Sequence, residues 1–173
     1  MKTLNTTGLK VLKVIHLVCA VMWMGGAIGM MVLLFHMPEE NASEMYATSM
    51  ALKLIDDYPI ILGANGCLLT GLLYGIFTKW GFFRHRWLIL KWIFTLFMIL
   101  SGTFIMGPCV NGNAAHATDL AFYLSPESDF WPNLTTILHW GLLQNILLLI
   151  TIIVSVFKPW KKKLLELKLP LFL

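Results

Sequence analysis

Three ionisable side chains, His16, Lys91 and His139, stand inside stretches that are otherwise apolar. Such groups are costly in hydrocarbon, so by default they mark a site. A neutral imidazole is a ligand for haem iron, copper or zinc. An inward-facing lysine could bind a propionate, donate to a quinone oxygen or, when neutral, serve as a ligand. His16 shares a helical face with Cys19 or Ala20, Trp23, Ala27 and Met30, and Gly25, Gly26 and Gly29 run beside it. The Gly25-x-x-x-Gly29 pair permits close approach of another helix or of a flat cofactor. Each reading has a plainer counterpart: a hydrogen bond to a neighbouring helix for His16, and snorkelling to the headgroups for Lys91.

Depth sorts these residues into two groups. His16 and Lys91 each lie roughly 5 to 8 Å inside the same face of the membrane at 1.5 Å per residue. His139 lies roughly 8 to 10 Å below the opposite face, so the two histidines are not the axial pair of one haem. A separate outer site would combine His139 with His36 and His116 around a metal or a second haem. Met22, Met24, Met30, Met31 and Met37 offer soft thioethers suited to copper(I), although methionine more often fills irregular helix interfaces. Gln144, Asn145, Asn65 and Thr70 supply hydrogen bonds between helices. The thiols of Cys19, Cys67 and Cys109 are scattered and make neither a zinc cluster nor a clear disulfide.

The elements that must position these groups follow from composition. Of 173 residues, 58% are hydrophobic and 13% charged, with a mean hydropathy of +0.75, whereas a soluble domain carries about a quarter charged residues. A soluble enzyme, a disulfide-stapled secreted domain and a nucleic-acid binder are excluded. Four apolar runs, about 9–35, 59–77, 87–106 and 134–157, are each long enough to span a bilayer. Helices are the only open-ended solution there, since nothing shows the alternation of a membrane barrel. The first run is too long for a cleaved signal peptide and is expected to stay in the mature chain. The fold class expected is all-α: one integral membrane four-helix bundle.

Charge fixes the expected orientation. Twelve of the 13 basic residues lie before the first span, around the second connection or after the fourth span, and 8 of the 9 acids lie with Lys53 in the other two connections. Positive charge stays inside, so both termini are expected in the cytoplasm of a bacterial-type inner membrane. The two outer connections, roughly 37–58 and 107–133, are long enough for a structured cap. Ala42–Ile55 reads as a short surface helix with Asn41 or Ser43 as N-cap. Pro108, Asn111-Gly112-Asn113, Pro126 and Pro132 punctuate the other as a loop with one or two helical turns. The tail 158–173 alternates lysines and leucines and reads as an interfacial anchor.

The run Leu12-Lys13-Val14-Ile15-His16, with Trp23 and then Gly25-Gly26, resembles the first helix of the HemJ-type protoporphyrinogen oxidases and the wider set of small four-helix membrane proteins that includes CopD-like domains. Thr70-Gly71-Leu72, Trp87-Leu88-Ile89-Leu90-Lys91 and Val156-Phe157-Lys158-Pro159-Trp160 are similar to motifs of its other helices. The resemblance implies haem b, with His16 and Lys91 as the critical pair. Two departures accompany it. The proline-arginine pair near the end of that family's first helix is replaced by Met31 and Val32, and about 25 residues replace a short connection before the last helix. The missing arginine points to a relative that keeps the haem scaffold with another electron donor and acceptor.

Together these readings predict a haem b protein, with one haem or two, that exchanges electrons with a quinone, a porphyrin or a redox partner protein. If it is an enzyme, it is a haem-dependent membrane oxidoreductase. His16 is the first ligand, Lys91 the inner contact, and His139 the ligand of a second haem; Trp23, Gly25, Gly26, Trp87 and Trp92 frame the inner pocket. The competing readings are a copper or haem transporter using His36, Met37, His116 and His139, and a non-catalytic subunit of a larger complex. The oligomeric state stays open.

Overall fold

The computed structural model describes residues 4–78, 82, 85–116 and 119–159. The expected interfacial lysines and leucines from Trp160 onward, and Lys2, Lys79 and Arg84, lie outside these residues. Among the described residues, four helical rods are long and apolar enough to cross a membrane: Thr6–Phe35, Ala42–Phe77, Arg86–Ala114 and Phe130–Phe157. Large apolar side chains cover their outer faces; Val21, Phe104 and Phe157 are each more than 70% exposed. A water-facing surface would not carry so continuous an apolar coat, and this is a multi-pass membrane protein.

The first rod, α1 (Thr6–Phe35), starts where the Asn5 side chain accepts the Gly8 N–H at 2.8 Å. Its buried stripe, Trp23, Ala27, Met30 and Leu34, keeps the three-and-four spacing of one helical face. It stops three residues before Pro38, whose ring disfavours helical geometry at the preceding residue. Next come α2 (Ala42–Ile55) and α3 (Ile61–Phe77). Asn41 caps α2 by accepting from Ser43 N and Glu44 N while its amide donates to Glu44 Oε1 at 2.9 Å.

The sequence reading separates the Ala42–Ile55 helix from the second span, but the structure joins them through a π-helical turn, Asp56–Ile60, that contains Pro59. A proline within an α-helix removes a donor and its ring clashes with the carbonyl four residues back. The wider π turn absorbs both faults, so the helix bends rather than breaks. The third rod repeats the device: α4 (Arg86–Ser101), a π turn (Gly102–Met106), then α5 (Gly107–Ala114) with Pro108 in its first turn.

The second outer connection holds more helix than the loop with one or two helical turns that the sequence suggests. Asn111-Gly112-Asn113 is helical, held by tertiary bonds that local turn propensity does not report: Asn113 Nδ2 donates to Phe130 O, Asn133 Nδ2 donates to Asn113 Oδ1, and Tyr123 OH donates to Asn113 O at 2.7 Å. The single turn α6 (Ala121–Leu124) follows, then α7 (Phe130–Phe157), which begins earlier than the apolar run because Pro132 sits in its first turn, where its missing N–H costs nothing. Met45, Tyr123 and Phe130, each fully buried, form the core of a cap at this end of the bundle. In the membrane part α1 packs on α3 and α7, and α4 packs on α7, whereas α3 and α4 barely touch.

Candidate functional site

The closest helix crossing lies between α1 and α3. A Cβ on Gly63 would meet Trp23 N at 2.6 Å and Cys19 O at 2.7 Å, and Gly66 faces the Cys19 thiol. This crossing, and not the Gly25-x-x-x-Gly29 pair, is where backbone approaches backbone. Gly25 has open space beside it, and Gly26 is covered by Pro59 and Ile60. One turn along from Gly66, the crossing sets His16 of α1 against Thr70 of α3, with Nδ1 and Oγ1 2.6 Å apart.

The proton positions follow from counting. Thr70 is buried, and its hydroxyl donates its only proton to Gly66 O at 2.6 Å or Cys67 O at 3.2 Å. The carbonyls can only accept, so all of these contacts are satisfied when the hydroxyl proton goes to the backbone and Thr70 accepts from His16, which assigns a proton to Nδ1. Nε2 has no hydrogen-bond partner among the described residues. The ring is also braced edge-on by Tyr74, centroids 5.9 Å apart. An imidazole whose Nδ1–H is committed and whose orientation is fixed presents Nε2 as a ready ligand, the arrangement found behind most metal-ligating histidines.

Lys91 completes this group from α4. It is half-buried, lies within electrostatic reach of His16 and Cys67, and makes no hydrogen bond or ion pair among the described residues. A cation inside a span without a counter-ion offers a place for an anionic ligand group. Trp92 lies alongside Gly71, and Trp87, buried at the start of α4, stacks on His85 with centroids 6.1 Å apart. Of the expected pocket residues, then, His16 and Lys91 lie within electrostatic reach of each other and Trp92 lies against α3. Trp23 and Gly26 belong to the middle of the bundle: Trp23 packs with Ala27, Ala64, Met98 and Leu148, two turns past His16.

The expected outer group is not assembled. His36 and His139 each donate Nδ1–H to a carbonyl one turn back, Val32 O and Thr135 O, both at 2.8 Å, and both side chains are exposed. His116 stacks on Phe122 with centroids 3.7 Å apart. Among the described residues, no three His, Cys, Asp or Glu side chains converge to hold a metal ion.

A feature that the sequence reading missed occupies the middle of the bundle. A cavity of about 230 Å³ is lined by residues of all four rods and both π turns. Its walls bring Asp56 and Asp57 together with Asn65, Asn111, Gln144 and Asn145. The aspartates read as loop acids from sequence; their place three and two residues ahead of Pro59, at the entry to an apolar run, was the available signal. Lys53 holds Asp57 at 2.8 Å and Asn111 Oδ1 at 2.5 Å at the cap end. Comparison with protein-family models, with curated proteins and with solved structures found no match.

Proposed function

We propose that this chain is an integral membrane haem b protein that exchanges electrons with a quinone or a membrane redox partner. One observation carries the reading: an oriented intramembrane imidazole with a bare Nε2 lies within electrostatic reach of a lysine that has no counter-ion among the described residues. The donor set suits haem b. His16 would ligate iron through Nε2 while Thr70 keeps the proton on Nδ1, and Lys91 would neutralise a propionate. Bound there, haem iron supplies one-electron chemistry. The chain's own part is to fix the ligand ring, to hold charge at one edge, and to keep water out with the apolar faces of α1, α3 and α4. The matching of His16 and Lys91 to the critical pair of the HemJ-type proteins supports the same assignment. We place both termini on the cytoplasmic side on the charge asymmetry, which sets His16 and Lys91 near the inner face.

Haem content tests this. Protein purified in mild detergent from cells supplied with a haem precursor should yield haem b in near-stoichiometric amount on extraction, and His16→Ala should yield little. A wild-type protein that yields none under the same supply contradicts the reading.

A further inference from the structure

The central cavity has a one-sided hydrogen-bonding character. Gln144, halfway along α7 and only 7% exposed, donates its amide protons to Met98 O at 3.3 Å and Ser101 Oγ at 3.2 Å. Because Met98 O can only accept, the nitrogen is fixed on that side and Oε1 is left without a donor among the described residues. Asn145 repeats the pattern: its amide donates to Gly141 O and Ala27 O, and its oxygen has no donor. So does Asn65, whose amide donates to Ile61 O. Asp56, with Asp57 and Lys53 as charged neighbours, makes no hydrogen bond or ion pair among the described residues. Acceptors outnumber donors on the wall. The donors left over are the Trp23 indole N–H, the second amide N–H of Asn65 and of Asn111, and the Thr103 hydroxyl, which can also accept.

Acceptors that face a cavity inside the span must take their donors from whatever fills it, and the cavity has room for far more than one water. It is also reachable from lipid. Its wall includes residues of α3 and of α4, the two spans that barely touch, and Asn65 and Thr103 are exposed at that seam. The fitting occupant is a membrane-soluble molecule whose polar head donates hydrogen bonds, and can accept one from Trp23. We propose that this cavity binds a hydroquinone, the reduced and hydrogen-bond-donating form of a membrane quinone, through Gln144 Oε1 and the Asp56 carboxylate. An oxidised quinone offers only carbonyl acceptors and leaves Gln144 Oε1 and the Asp56 carboxylate without a donor, so the reduced form binds more tightly. The redox meaning of the site rests on the function proposed above. The binding itself does not, because neither His16 nor Lys91 lines the cavity.

The test uses 4-octylphenol and its methyl ether 4-octylanisole, which differ in one donor, on the full chain in detergent with the thermal unfolding midpoint as readout. The phenol should stabilise saturably, at about tenfold lower concentration than the ether, which is the affinity equivalent of one buried hydrogen bond. Gln144→Met, which keeps the shape, should abolish the difference, and Asp56→Asn should reduce it in a protein with the cavity lining otherwise intact. Equal stabilisation by phenol and ether overturns the proposal, as does a difference that survives both variants or tighter binding of dodecylammonium than of the phenol. The same titration on haem-free His16→Ala separates the two readings. A phenol preference retained there, in a chain whose wild type yields no haem, upholds the site and sinks the haem assignment; a haem-loaded wild type without the preference does the reverse.

Discussion

A threonine hydroxyl has one proton, and at Thr70 its destination decides what His16 can do. With that proton on a helix carbonyl, Thr70 can only accept from the imidazole, and Nε2 is left for a ligand. Thr70→Val removes the acceptor and leaves Nδ1–H stranded in the span. By analogy with other partners that orient a ligating histidine, it should weaken haem retention by about 10- to 100-fold, and Thr70→Ser should restore most of it; haem transfer to an acceptor apoprotein measures both. His16, Lys91 and Thr70 were legible in the sequence because polar groups stand out in apolar runs. The tautomer was not, since it depends on a residue 54 positions away meeting His16 across a crossing. Nor was the grouping of acceptors around Gln144, because each amide on its own reads as a link between helices.

At the scale of the element, glycine spacing predicted a close approach at Gly25 and Gly29, and the structure makes it at Gly63 and Gly66 instead. Spacing shows where a helix could be approached; which face is used depends on the partner's surface. The difference is measurable. Gly63→Ala must push α1 from α3, because the added carbon would lie 2.6 Å from Trp23 N, and should cost about 1–3 kcal/mol. Gly25→Ala has nothing within 4 Å and should be neutral or stabilising by up to about 1 kcal/mol; unfolding of both variants in the same detergent compares them. The start of α2 was readable to within two residues, because Asn41 and Ser43 are both capping types, and the structure uses Asn41. The π turns were not, although Pro59 and Pro108 marked where the chain would leave α geometry.

Across the whole molecule, hydropathy and charge announced four membrane helices, while the cap that ties them together depends on contacts distant in sequence. Tyr123 shows the consequence. Its buried hydroxyl donates to Asn113 O, and burial, with a further contribution from nearby Tyr46, raises its pKa above the ordinary tyrosine value. The folded state therefore holds this proton more tightly than the unfolded state. The stabilisation is complete below about pH 10, the unfolded value, and is lost as pH rises through the folded pKa. Tyr123→Phe should cost about 1 kcal/mol at neutral pH and flatten that alkaline loss, seen in unfolding midpoints measured between pH 8 and about pH 11. Orientation is open to the same directness: tags at either terminus should be protected from protease in intact spheroplasts and cleaved on lysis. The measurement that bears most directly on the account is an absorption spectrum of the purified protein, oxidised and then dithionite-reduced, beside His16→Ala and His139→Ala. A Soret band with sharpened reduced α and β bands is expected, and His16→Ala should abolish it. A spectrum that His16→Ala leaves unchanged, or a wild type colourless after expression with haem precursor, would contradict it.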